Sequence, residues 1–412
     1  MKPYIFLSIF YFTLIGCGKS EQSEQLNIDT DSISVIEVIN FPSESESSVP
    51  NLYKSKTKEI YLTWIESFDK NQSVLKLSKL KNNIWQTPSI IAEGDDWIVN
   101  WADFPSITSF GENSLAVNYL IETNPETFAY DIKIKISNDN GKTWDKPFPP
   151  HSDNTLTEHG FVSLLEFQKK SFLSVWLDGR KFDNGINEMS LRSAIINTQG
   201  EIEQEYTLDD RICDCCSTDA IDFDDGIAVV YRDRDENEIR DISIVYFKDM
   251  EWSKPKTIAN DNWEIAGCPV NGPAIDALGG QLAVAWFTQV NDTPTVRLTY
   301  SENASTFSIP IKINSMIPIG RVDLAFIDTN SVAISWIEGD TTSTYVMVRY
   351  AKTDGSLELG KPVIVSKINE NRSSGFPIMI KNEGKLLFAW TKAGAKLSVN
   401  TVSLAISKLM KD

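Results

Sequence analysis

Arginine, aspartate and cysteine crowd into a few short stretches of this chain. One reads D-D-R-I-C-D-C-C-S-T-D from Asp209 to Asp219, another Y-R-D-R-D-E-N-E-I-R-D from Tyr231 to Asp241, and a third W-L-D-G-R from Trp176 to Arg180. Arginine's planar fork binds oxyanions in a bidentate way that lysine does not match. Arg180, Arg211, Arg232, Arg234, Arg240, Arg321 and Arg372 are therefore candidate contacts for an anionic or densely hydroxylated ligand, and Trp97, Trp101 and Trp263 could stack on sugar faces. The same arginines could equally pair with neighbouring aspartates as struts. Asp178, Asp233 and Glu158 are candidates for the paired acid and base of glycosidic bond cleavage, and His159 could carry a proton or hold a metal.

The C-D-C-C run, with Cys268 further on, supports three chemistries. Cys213, Cys215, Cys216 and Cys268 could form two disulfides, one through Cys268 and one within the run, such as a vicinal Cys215–Cys216 link. They could hold zinc or Cu(I) through thiolates, or remain free or redox-active thiols. No cofactor is otherwise implied.

These residues need a scaffold that brings distant segments together, and the chain repeats one. A strand ending in an aromatic residue recurs at Trp64, Tyr119, Trp176, Tyr231, Trp286, Trp336 and Trp390. Each has a short apolar strand before it and another after it. This predicts an all-β propeller of four-stranded antiparallel blades, seven favoured and six the alternative. No strand follows Leu404 to complete the last unit, so Ile33 to Ile39 is expected to close the ring. In such a blade, with strands A to D running outward from the axis, the D-to-A connections and B-to-C loops emerge on one face. That places Asp209–Asp219, Asp261–Pro273, Gly94–Asp103, Thr157–Gly160, Ile319–Asp323 and Asn371–Pro377 beside Trp176–Arg180 and Tyr231–Asp241. Seven of the ten arginines fall there.

Ser137 to Trp144, S-N-D-N-G-K-T-W, matches the turn signature S-x-D-x-G-x-T-W in full. Asp139 supplies a short acceptor for backbone N–H groups, and Gly141 the positive φ of a tight turn. Ser301 to Phe307 is a decayed copy and Asp354-Gly355 a remnant. The motif resembles the Asp-box or BNR repeat of the sialidase superfamily, whose turns join the third and fourth strands of propeller blades away from the ligand face. The resemblance implies a glycan-directed protein. Sialidases place the first of three substrate arginines in an F/Y-R-I-P motif; here the early strand reads S-V-P-N-L-Y, Ser48 to Tyr53, without arginine. No tyrosine stands out as nucleophile, Tyr345 being a weak candidate. A glycoside hydrolase or lyase is expected, with a non-catalytic glycan- or protein-binding lipoprotein and a cysteine-held metal or redox site as alternatives.

Residues 1–16 carry Lys2, then an apolar run from Tyr4 to Ile15, and end before Cys17. This pattern predicts a lipoprotein signal peptide, with Cys17 lipidated and the protein held at the cell envelope. Polar residues 17–30 would form a flexible tether, leaving 31–412 as a single propeller domain, expected to be monomeric. Without the leader, 38 basic residues face 57 acidic ones. That balance disfavours nucleic acid as a partner.

Overall fold

The computed structural model describes residues 36–411, apart from 44, 69–71, 128 and 225. The expected signal peptide, Cys17 and the expected tether lie outside the described residues. The described strands form seven antiparallel sheets, and each sheet is one blade. Blade one begins with Glu46–Lys54 and Ile60–Ser67, and blade two with Ile107–Phe110 and Ser114–Asn124. Blade three comprises His159–Phe167, Ser171–Asp178, Met189–Asn197 and Ile202–Ile212. Blades four to seven begin at Asp219, Ala274, Ile317 and Ile378. In blade two the fourth position is held by a bridge from Ile134 to Phe148 rather than a regular strand.

Alternation explains the strands, and a dry interior between blades explains their stacking. The recurring aromatic at the end of each second strand is buried in every blade: Trp64, Trp176, Trp286 and Trp336 at 0%, Tyr231 at 1%, Trp390 at 3% and Tyr119 at 7% exposure. Each fills the space between its own blade and a neighbour, so the period of the sequence is the period of the core.

Three consecutive inner strands carry the same stitch. Asp219, Asp276 and Asp323 each accept the backbone N–H of the following residue, and each also accepts one from the next blade: Ile275 at 2.8 Å, Phe326 at 2.7 Å and Met379 at 2.6 Å. A carboxylate spanning two inner strands fixes their relative height.

Ile36–Ile39 pairs with Ser398–Ala405, Ile36 standing opposite Leu404. The closing strand is thus the one expected, over its last four residues. The Asp-box forms as its signature requires: Asp139 Oδ1 accepts from the N–H groups of Lys142 and Thr143 at 3.0 and 2.9 Å, and Gly141 has φ +82. The copy at Ser301 keeps its turn because Asn303 accepts from the N–H groups of Ser305 and Thr306. One stretch expected as a connection is different. Ile319–Asp323 lies inside the strand Ile317–Asp328, as a bulge with Gly320 and Arg321 both at positive φ.

Candidate site on the axial face

The D-to-A and B-to-C segments meet over the axis, and their charged side chains sort into three groups. The first lies between blades two and three. Asp178, fully buried at the end of the second strand, accepts the Trp176 indole N–H at 2.8 Å and both Nε and Nη2 of Arg180 at 2.7 Å. Arg180 Nη2 also reaches Asp153 at 3.0 Å and Glu205 at 2.9 Å, and Arg192 shares Glu205. Burial pushes the Asp178 carboxyl up, but Arg180, the charge of His159 and the indole hold it below its ordinary value. Beside it the rings of His151 and His159 stack 4.1 Å apart. His151 stands 2.8 Å from Asp131, and His159 Nε2 3.2 Å from Asp153. Burial pulls His151 down, yet hydrogen bonds and charges from Asp131 and Asp153 win and raise it to about 9.

The second group spans blades three and four. Asp233 occupies the position of Asp178 one blade on, but its aromatic partner is Tyr231, whose hydroxyl donates to Asp209 instead at 2.6 Å. Among the described residues Asp233 receives the Ser243 hydroxyl at 2.9 Å and the Arg234 N–H at 2.7 Å, and no side-chain cation. Burial, with the charge of Asp209 next, raises it to about 6. Glu158 is also raised, by burial and then by Asp214. Around these carboxylates Glu238 gathers Arg211, Arg234 and Arg240 at 3.3, 2.9 and 2.9 Å. Arg232 is buried, and the hydrogen bonds of its guanidinium go to the backbone carbonyls of Asn271, Arg240 and Phe287. Trp263, 5% exposed, packs edge-on to Phe287 with Arg232 over its ring. It borders a cleft of about 430 Å³ lined also by Asn262, Glu264, Gln289 and Asp292.

The third group crosses from blade one to blades six and seven. The guanidinium carbons of Arg321 and Arg372 lie 4.7 and 5.9 Å from the centroid of Trp101. Arg321 donates to the carbonyls of Gly375 and Asn371, at 2.9 and 3.4 Å. Burial, then the charge of Arg372, presses it down to about 10. Arg372 is exposed. Among the described residues neither pairs with a carboxylate. Trp97, by contrast, is stacked on Tyr119 and takes no part.

The cysteine block corrects one expectation. Cys215 bonds to Cys268, with Cα atoms 6.0 Å apart, tying the connection before blade four to the one before blade five. No vicinal link forms, and Cys213 and Cys216 are buried free thiols. The loops meet so closely because residue 272 is glycine: a Cβ there would stand 2.0 Å from the Ser217 carbonyl. Asn271, buried beside it, accepts the Arg321 N–H at 2.7 Å and so links the cysteine loop to the blade-six bulge. Asp209, Glu205, Glu238, His151 and Asp103, whose carboxyl burial raises to about 7, were not singled out by spacing. Asp209 and Glu238 did lie in the charged runs, which was their one signal.

These features define a β-propeller of seven blades, with a charged and aromatic axial face. No protein-family model matches the chain, and no curated protein sequence matches it. Solved structures do match. An ulvan lyase of polysaccharide lyase family PL25, bound to its GlcA(1-4)Rha3S ligand, superposes with TM-score 0.57 at 10% identity over 91% of this chain and 100% of that one. A protein of unknown function from Dyadobacter fermentans gives 0.52 at 14%, over 90% and 97%. The phage phi92 endosialidase gives 0.51 at 10%, over 90% and 68%. At these identities the likeness is one of fold.

Proposed function

We propose that the protein recognises an anionic glycan over the propeller axis, and that Asp233 or Glu158 exchanges a proton with the bound sugar. One observation carries this reading: Arg321 and Arg372 share the ring of Trp101 with no carboxylate between them, whereas the arginines of blades three and four are largely committed to acidic partners or carbonyls. Two cations beside an aromatic face suit a uronate or sulfated sugar, which needs both charge and a stacking surface. The ulvan lyase, of similar fold, has a ligand of that chemistry by name. Asp233 and Glu158 fit proton transfer because burial and a neighbouring carboxylate lift both towards neutrality.

The test is calorimetric titration with oligosaccharides that differ only in bearing a uronate or its neutral, reduced form. Arg372→Ala should weaken uronate binding about tenfold or more and leave the neutral sugar unaffected. Equal affinity of the native protein for the two sugars overturns the reading. Incubation with the tightest ligand, followed by mass spectrometry, then separates a lyase or hydrolase from a binding module, and Asp233→Asn and Glu158→Gln tell which acid acts. At the other end of the chain, lipidation of Cys17 would hold this face at the cell envelope. Cys17→Ser should move the protein from the membrane to the soluble fraction.

A further inference from the structure

Cys213 and Cys216 stand in C-x-x-C spacing just before blade four, both reduced and both 1% exposed. A buried cysteine pair in an apolar setting needs no cations. This pair is set among them. Arg240 Nη1 lies 3.5 Å from the Cys213 sulfur, and Arg232 is close enough to act on both thiols by charge. Arg232 spends its hydrogen bonds on three carbonyls, so these leave its buried charge without a counter-ion. The nearby carboxylates are Asp241, which feels Arg232, Asp214, which pairs with Arg234 and feels Arg240, and Glu238, which is already shared among Arg211, Arg234 and Arg240. The Cys216 sulfur in addition receives the Asn271 N–H. The Arg240 guanidinium and the backbone N–H groups of Cys215 and Asn271 all present donors to the two sulfurs, and Arg232 adds a second positive charge.

We propose that Cys213 and Cys216 form a two-thiolate site for a soft monovalent ion, Cu(I) by chemistry, roofed by the Cys215–Cys268 disulfide. The sulfurs of Cys213, Cys215 and Cys216 all lie within 4.8 Å of one another, and Cys213 and Cys215 are 4.0 Å apart. A metal–thiolate bond of about 2.3 Å lets one ion bridge two sulfurs at such a separation. Thiolates select Cu(I) over harder ions, and a d10 monovalent ion is content with two ligands. Zinc needs four, yet Cys215 and Cys268 are bonded to each other, leaving two. On binding, each thiol gives its proton to solvent and Cu(I) keeps its valence, so nothing is oxidised or reduced. The resulting centre carries one net negative charge, opposite in sign to Arg232 and Arg240. The site does not depend on the glycan reading.

Cu(I), supplied anaerobically as its acetonitrile complex to the full chain and challenged with bicinchoninate, should be retained at one equivalent. Cys213→Ser and Cys216→Ser should each weaken retention about a hundredfold or more, whereas the double variant Cys215→Ser, Cys268→Ser should still bind one equivalent. In urea just below the unfolding transition, where the buried pair opens to maleimide, the bound ion should slow alkylation of Cys213 and Cys216 in the native sequence, a measurement that needs no variant. The assignment fails if no copper is retained, if the serine variants hold it equally well, if alkylation is the same with and without copper, or if Zn(II) displaces it.

Discussion

Asp178 and Asp233 hold the same place in adjacent blades, two residues beyond a buried aromatic at the rim of the axial face. Their chemistry is opposite. Asp178 has a tryptophan before it, whose indole N–H points at the carboxylate, and Arg180 completes a closed ion network. The pattern is not confined to one blade: in blade one Trp64 donates to Glu66 at 3.0 Å in the same way. In blade four the aromatic is tyrosine, its hydroxyl goes to Asp209, and Asp233 is left with one hydroxyl and one N–H. A carboxylate with a cation and an indole becomes a brace. The same carboxylate without them becomes an acid near neutrality.

The largest effect should come from breaking the brace. Asp178→Asn leaves Arg180 and Arg192 short of a buried counter-charge, and should cost about 3–5 kcal/mol by denaturant titration; a loss under about 1 kcal/mol would show that the network is ornamental. The same network predicts a pH response. His151, folded, binds its proton up to about 9 against an ordinary 6.5, so its stabilisation is complete below 6.5 and disappears as pH rises through 9. The loss should be on the order of 3 kcal/mol between those limits, and His151→Gln should flatten it. A flat melting temperature in the native protein across that window would contradict it.

Asp233 should behave in the contrary sense. Its folded value is raised to about 6 from 3.8, so its contribution is present below 3.8 and is lost as pH rises through 6. At neutral pH Asp233→Asn should therefore be neutral or stabilising, by roughly 1–2 kcal/mol, while removing whatever proton transfer the native residue performs. A destabilisation as large as that of Asp178→Asn would erase the distinction. Smallest of all, Lys181→Ala removes a rim cation 3.7 Å from Glu188 and 3.8 Å from Asp210, and should shift stability by less than about 1 kcal/mol.

The blades were legible because each must bury one large aromatic, and Trp64 to Trp390 record that need in a plain period. Ring closure was legible because the last unit lacked a strand and the first segment had one to spare. The contrast within the site was not. W-L-D-G-R and Y-R-D-R put aspartate at the same step, and nothing in spacing tells where an indole N–H or a phenol hydroxyl will aim. The bulge at Arg321 was missed for a related reason. Its positive φ is held by Asn271, a residue 50 positions earlier and across a blade boundary. The pairing of Cys215 rather than Cys213 or Cys216 with Cys268 likewise depends on how two loops pack, with Gly272 admitting the Ser217 carbonyl.

The seam of the ring has a kinetic meaning. Ile36–Ile39 finds its partners Thr401 to Leu404 at the far end of the chain, one of the longest loops this chain can close, and loops of that length close slowly. A chain delivered N-terminus first can build blades one to six while its first strand waits and the edge of the unfinished ring stands open. Whatever delays the arrival of Ser398–Ala405 therefore prolongs the interval in which two unfinished copies could exchange strands, and its pairing with Ile36–Ile39 acts as the clasp that ends it.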